Sequence, residues 1–144
     1  MTMQDIDRPT FGPNGVAGAP RLLRLALLAD AAASGVMGLL LAAAAPALGQ
    51  LLDLPKDLLL EAGLALIPWA AFVLWTATRA SISRGAARAI VAVNLVWVAG
   101  SLLTLALLSP GARGLAFVLV QAMAVAGLAA MQWIALRRMA AAGA

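Results

Sequence analysis

The chain has 144 residues, of which 64% are hydrophobic and 11% charged, with a mean hydropathy of +0.98 and a formal net charge of +4. A soluble domain usually carries about 45–50% apolar and about 25% charged residues, so this composition cannot cover a water-facing surface and indicates a membrane protein. The chain has no Cys and no His, which excludes thiol nucleophiles, disulfides, imidazole bases and the usual zinc and haem ligands.

Four apolar stretches follow one another along the chain, each close to the ~20 residues that a helix needs to cross a ~30 Å hydrocarbon core. No stretch alternates as a membrane strand does, so the backbone polar groups must be satisfied within helices. The predicted helices cover residues 25–48, 58–78, 89–108 and 114–136. Their short connections favour consecutive helices that are adjacent and antiparallel, in an all-α, four-helix transmembrane bundle over residues 21–138.

The two ends of the chain are predicted to lie outside this bundle. Residues 1–20 carry three prolines and three glycines, which favours a disordered cytoplasmic tail over a helix. Residues 139–144 are predicted to form a short cytoplasmic C-terminal tail. An alternative is that the first apolar run, which ends in small residues before Pro46, is a cleaved signal peptide. The length of that run and the acid Asp30 within it argue against a signal peptide.

Positive charge is distributed unevenly between the two sides of the predicted bundle. Only Lys56 and Arg113 lie on one side, and the other side holds eight arginines: Arg8, Arg21, Arg24, Arg79, Arg84, Arg88, Arg137 and Arg138. Because cytoplasmic segments carry the excess of Lys and Arg, this bias predicts cytoplasmic N- and C-termini. The basic residues stand beside apolar runs, which is typical of topology signals and predicts a lipid bilayer as the partner, with no nucleic acid.

Three polar residues lie five or six positions from the arginine that flanks their helix: Asp30, Asn94 and Gln132. With 1.5 Å of rise per residue, all three are expected about 8–9 Å inside the membrane, at one level in its cytoplasmic third. Helical spacing predicts one polar face on each of helices 1, 3 and 4 that includes these residues. The equivalent face of helix 2 runs through Glu61, Ala65, Pro68, Phe72 and Thr76.

These polar faces are expected to converge on the bundle axis, because polar side chains avoid hydrocarbon. The candidate intramembrane cluster consists of Asp30, Ser34, Asn94, Trp97, Ser101, Gln121 and Gln132. For the neutral members we favour hydrogen bonding between helices that fixes their register. The Trp97 indole is expected to fill the core; the alternative is that its N–H donates to Asp30, Gln121 or a ligand.

Asp30 differs from the other members, because an ionised carboxylate at this depth costs at least ~2.5–3.5 kcal/mol on insertion scales. It is therefore either protonated at neutral pH or paired with Arg84 or Arg88 reaching down from the interface. A structural carboxyl and a proton-linked role both stay open. On the same helix, the small residues Ser34 and Gly38 predict close approach of another helix, from the same chain or from a second copy.

The sequence also resembles that of small four-helix bacterial proteins known only as integral membrane proteins. The resemblance rests on residues 30–35 of helix 1, residues 94–97 with Ser101 of helix 3, and residues 121–138 of helix 4. It covers residues 21–138 and implies a bacterial inner-membrane location, with no activity attached. Small multidrug-resistance transporters are similar in size and helix number and also place a carboxylate in helix 1, but they use Glu there, so this likeness is an analogy of size.

Two functions are consistent with these patterns. The favoured one is a non-enzymatic inner-membrane bundle that acts by helix packing and association, as a homo-oligomer or as an accessory subunit of another membrane protein. The alternative is a small proton-linked transporter or channel in which Asp30 is the titrating carboxylate. One membrane acid without a base, nucleophile or metal cluster falls short of a catalytic site, so we expect no enzymatic activity, no metal and no cofactor.

Overall fold

The computed structural model describes residues 14–142 and the side chains of residues 18–142. This part of the chain forms four α-helices and no strand, and each helix is long and apolar enough to cross a membrane. The helices are α1 (Asn14–Leu52), α2 (Lys56–Thr78), α3 (Arg84–Leu108) and α4 (Ala112–Ala142). The prediction of an all-α transmembrane protein with four helices is confirmed.

The helices extend beyond the apolar stretches that predicted them. Because α1 begins at Asn14, the predicted disordered tail over residues 1–20 is corrected from residue 14 onward, and residues 1–13 lie outside the described residues. Helix α4 likewise continues to Ala142 through most of the predicted C-terminal tail. An apolar stretch marks only the part of a helix inside the hydrocarbon, which is ~30 Å thick, and the helix continues through the polar interface on either side.

Small residues bring α1 and α2 close together. A Cβ atom at Gly63 of α2 would lie 2.5 Å from the Ala42 backbone nitrogen and 2.8 Å from the Gly38 carbonyl oxygen of α1. One turn away, a Cβ atom at Gly35 would lie 3.6 Å from the Ala70 Cβ atom. The small residues of α1 therefore pack on another helix of the same chain, where they allow the two backbones to approach.

This packing decides which face of α2 is buried. The buried residues of α2 are Leu59, Gly63, Leu66, Ala70, Val73, Thr76 and Ala77. The predicted inward face is therefore corrected, because Glu61, Ala65, Pro68 and Phe72 are exposed and only its last residue, Thr76, is buried. Since α2 has no strongly polar residue between Glu61 and Thr76, close packing of small residues sets its rotation, and hydrogen bonding does not.

The helices are arranged around the bundle in the order α2, α1, α4, α3. Helix α1 packs on α2 and α4, and α4 packs on α3, whereas α2 and α3 touch only marginally. The predicted adjacency of consecutive helices therefore holds closely for α1 with α2 and for α3 with α4, whereas α2 and α3 are neighbours with only a marginal contact. Residues 79–83 connect α2 to α3, and farther from this connection the two helices are separated by an opening that both of them line.

Arginine side chains tie the helices together at one end of the bundle. Arg24 of α1 donates to the Ala77 carbonyl oxygen in the last turn of α2. It also donates to the Arg79 and Ala80 carbonyl oxygens, which follow the end of α2. Arg84, the first residue of α3, donates to the Met139 carbonyl of α4 at 3.2 Å. The last carbonyl groups of a helix lack intrahelical hydrogen-bond partners, and these guanidinium groups supply donors to some of them.

The glycine contact between α1 and α2 gives a stability prediction. Gly63→Ala should lower the free energy of unfolding by about 1–3 kcal/mol, because the added methyl group must push the two backbones apart. Gly127→Ala is the matched control, since nothing lies within 4 Å of a Cβ atom there and alanine favours a helix by roughly 0.5–1 kcal/mol over glycine. Thermal unfolding of both variants in detergent measures the difference, and equal melting temperatures would contradict the packing described here.

Candidate functional site: a buried carboxyl and an intramembrane cleft

The carboxyl group of Asp30 lies where α1, α3 and α4 meet, and the residue is only 1% exposed. Its Oδ2 atom accepts hydrogen bonds from Asn94 Nδ2 at 2.7 Å and from Gln132 Nε2 at 2.8 Å. Its Oδ1 atom accepts one from the Ser34 hydroxyl at 3.2 Å. Asn94 and Gln132 are buried as well. One side chain from each of α3 and α4, and one from the next turn of α1, therefore converge on a single carboxyl group.

The sequence places three of these residues at one depth, and the structure brings them together. Asn94 Nδ2 also lies 3.4 Å from Gln132 Oε1, so the two amides contact each other as well as Asp30. Ser34 completes the group because residues four apart share a helix face. The remaining predicted residues, Trp97, Ser101 and Gln121, form a second group of their own.

Every side chain that hydrogen-bonds to Asp30 in the described part of the chain is neutral, and each one donates. The predicted pairing with Arg84 is wrong, because this guanidinium donates to the Met139 carbonyl at the bundle end. Arg88 is exposed and makes no hydrogen bond to the carboxyl oxygens. These donors suit an ionised carboxylate, which only accepts hydrogen bonds. They carry no positive charge that could balance the negative charge of the carboxylate.

The same contacts can also serve the protonated carboxyl group. A hydroxyl group both donates and accepts, so the O–H of a protonated Asp30 could donate to Ser34 Oγ. The Ser34 hydroxyl could then turn to a backbone carbonyl of the preceding turn, as Ser side chains in helices commonly do. Rotation of one hydroxyl group thus exchanges the two hydrogen-bonding patterns without moving a helix.

The second polar group joins α3 and α4. Trp97 Nε1 donates to Gln121 Oε1 at 2.9 Å, Gln121 Nε2 donates to Ser101 Oγ at 2.8 Å, and Ser101 Oγ donates to the Trp97 carbonyl at 2.9 Å. Of the three acceptors considered for Trp97, the structure selects Gln121. Within the described residues, no buried side-chain nitrogen or oxygen lacks a hydrogen-bond partner.

Two neighbouring cavities lie between the helices. The first, of about 590 Å³, reaches Asp30, Ser34 and Asn94, and the second, of about 450 Å³, extends toward Glu61 and Thr104. Because they share six lining residues, we treat them as one feature and call it the cleft. The shared residues are Met37, Ala65, Val93, Trp97, Phe117 and Gln121.

The cleft lies at the opening between α2 and α3. Its walls there are Ala65 and Trp69 on α2 and Val93 and Trp97 on α3. Ala65 and Val93 are exposed, and the two tryptophans are half-buried. In a bilayer this opening would face the acyl chains of the lipid, because it lies along the sides of two membrane-spanning helices.

Sequence reasoning missed the cleft, although one signal pointed to it. The polar residues that link helices come from α1, α3 and α4, and the middle of α2 contributes none. A helix whose middle has no polar link is held there by packing alone, and it need not pack closely on both of its neighbours in the chain. As for metal sites, the described residues contain no group of three or more His, Cys, Asp or Glu that could hold an ion.

Comparisons of the chain with protein-family models, with curated proteins and with solved structures find no match. The buried carboxyl group and the cleft beside it are therefore the features that bear on function.

Two substitutions of Asp30 should distinguish the contribution of its charge to stability from the contribution of its hydrogen bonds. Asp30→Asn keeps an oxygen for the two amides and can turn its own amide toward Ser34 Oγ, so stability should stay within about 0.5 kcal/mol of the parent. Asp30→Leu leaves buried amide donors without an acceptor and should cost about 1–3 kcal/mol. Unfolding in detergent gives both values, and a leucine variant as stable as the parent would show that the network does not hold the helices.

Proposed function

We propose that the chain is a small, non-enzymatic, proton-linked carrier in which Asp30 binds and releases the proton. The observation that supports this proposal is that the buried carboxyl group lines a cavity of about 590 Å³ inside the membrane domain. A carboxyl group that only fixed the helix register would need no such space beside it. Ionisable residues inside membranes commonly mark substrate and proton pathways.

The electrostatics of the site favour exchange of a proton for another positive charge. An unbalanced carboxylate is costly where the effective dielectric constant is low. The groups that face Asp30 are Ser34, Asn94 and Gln132, and the α2 residues that line the same cavity are Ala65, Leu66 and Trp69. Because none of them is ionisable, the charge of Asp30 can be balanced only by a proton or by a ligand in the cleft.

We propose further that the protein spans the bacterial inner membrane with both termini in the cytoplasm. Arg24, Arg79 and Arg84 gather at one end of the bundle, where their contacts link the helix ends. Beside them, the guanidinium carbon of Arg79 lies 4.0 Å from the ring centroid of Trp75. Tryptophan and arginine together are typical of a membrane interface, and the excess of arginine is typical of the cytoplasmic one.

A second candidate function is association with another membrane helix, in a homo-oligomer or as an accessory subunit. The observation that favours it is the marginal contact between α2 and α3, which leaves room for a helix of a partner. A partner helix seated there would fill the cleft and exclude a small ligand. The two candidates therefore predict opposite results for ligand access to the cleft.

The proton-linked function is tested by following the protonation of Asp30 in lipid as the infrared C=O band of its carboxyl group. We expect this band to disappear when the proton is released and to return when it is taken up again. Asp30→Asn assigns the band, because this variant lacks the Asp30 carboxyl group and keeps the other acids of the described residues, Asp53, Asp57 and Glu61. A band that persists to high pH would make Asp30 a permanent hydrogen-bond donor and would favour association as the function.

A further inference from the structure

We infer that the ligand of the cleft is a hydrophobic cation that is dissolved in the membrane and enters sideways, between α2 and α3. This inference deepens the proposed function and rests on it for the role of Asp30. The charge of the cleft indicates the class of ligand, and the side on which the cleft opens indicates the route of entry.

The charge of the cleft selects a cation. The ionisable residues among its lining are the acids Asp30 and Glu61, and no lysine or arginine lines either cavity. Opposite charges attract strongly where water is excluded, and like charges repel there just as strongly. An anionic amphiphile would therefore be rejected, and a neutral molecule could not replace the proton that an ionised Asp30 has lost.

The aromatic lining favours the same class of ligand. Trp69, Trp97 and Phe117 line the cavity that reaches Asp30. The face of an aromatic ring attracts a cation, most strongly for tryptophan, and this attraction increases when the cation is desolvated. The indole N–H of Trp97 is already hydrogen-bonded to Gln121, so Trp97 can contact a ligand only through the faces of its ring.

The remaining lining explains why the cation must be hydrophobic. Most lining residues are Ala, Leu, Val, Met or aromatic. Such surface binds apolar groups by removing them from water. Along α1 the cleft extends from Asp30 to Leu41, which is about 16 Å of helix. This length is about half of the ~30 Å hydrocarbon core, so the cleft matches the depth of one lipid leaflet.

The route follows from the position of the opening. Ala65 and Val93 line both cavities and are exposed on the facing walls of α2 and α3. The α2 and α3 helices make only a marginal contact with each other. Tight contacts of α1 with α2 and hydrogen bonds between α3 and α4 close other sides of the bundle. A molecule dissolved among the acyl chains can therefore reach the cleft without crossing the polar interface.

The ligand class can be tested with two probes of similar shape and opposite charge, tetraphenylphosphonium and tetraphenylborate. Binding of each is measured by equilibrium dialysis against the protein in lipid nanodiscs, with protein-free nanodiscs as the control for partition into lipid. We expect saturable binding of tetraphenylphosphonium that weakens at least about tenfold in Asp30→Asn, a loss of about 1.4 kcal/mol. Tetraphenylborate should show partition only. Saturable binding of the anion, or unchanged binding of the cation to Asp30→Asn, would overturn the assignment.

The route is tested with a pair of cysteines, because the native chain has none. In Ala65→Cys/Val93→Cys, a short, reducible bifunctional thiol reagent should join the two walls and abolish binding of tetraphenylphosphonium, and a reducing agent should restore it. The control is the same double variant before treatment, and the loss of binding is measured relative to it. A joined double variant that binds as well as the untreated protein would show that the ligand enters elsewhere.

These outcomes are separable from those for the proposed function. If Asp30 titrates in the infrared experiment and the cation does not bind, the ligand class is wrong and the proton-linked function stands. If the cation binds and depends on Asp30, but the carboxyl group never titrates, the cleft is a cation site without proton exchange, and the proposed function fails.

Discussion

The hydrogen bonds from Asn94 and Gln132 to one oxygen of Asp30 are the interaction on which the rest of the bundle depends. Inside a bilayer no water satisfies a buried carboxyl group, so its partners must come from the protein. Here those partners come from α3 and α4, which fixes the position of both helices relative to α1. Helix α2 has no share in this network and is held to α1 by the close approach of Gly38 and Gly63.

This division of roles accounts for the cleft. Inside the bundle, α1, α3 and α4 are joined by hydrogen bonds between side chains. The middle of α2 is held by small-residue packing on α1, and within the described residues no side-chain hydrogen bond joins α2 to α3. The resulting opening lies beside the carboxyl group that organises the other three helices. The Asp30 carboxyl group, which stabilises the bundle, therefore also lines its cavity. In the proposed function this carboxyl group alternates between a proton and a cationic ligand, and the Ser34 hydroxyl adapts to each state.

Much of the site could be predicted from the sequence, because depth in a membrane is almost linear in residue number. Counting from the flanking arginines placed Asp30, Asn94 and Gln132 at one level, and the structure joins them. The face of α2, the order of the helices and the cleft could not be predicted in this way. Leu, Ala and Val suit lipid and protein contacts equally well, so an apolar helix such as α2 carries little information about its rotation. The helix ends were also missed, since hydropathy marks the hydrocarbon boundary and not the last hydrogen-bonded turn.

The most direct test of the account is whether a proton and a cation compete for Asp30. The protein in nanodiscs is placed in a weakly buffered solution at a pH where the carboxyl group is protonated, and the pH is recorded as tetraphenylphosphonium is added. Because coupling between two ligands is reciprocal, we expect release of a proton for each cation bound, and no release from Asp30→Asn. Binding of the cation without any proton release would show that Asp30 does not exchange one positive charge for another.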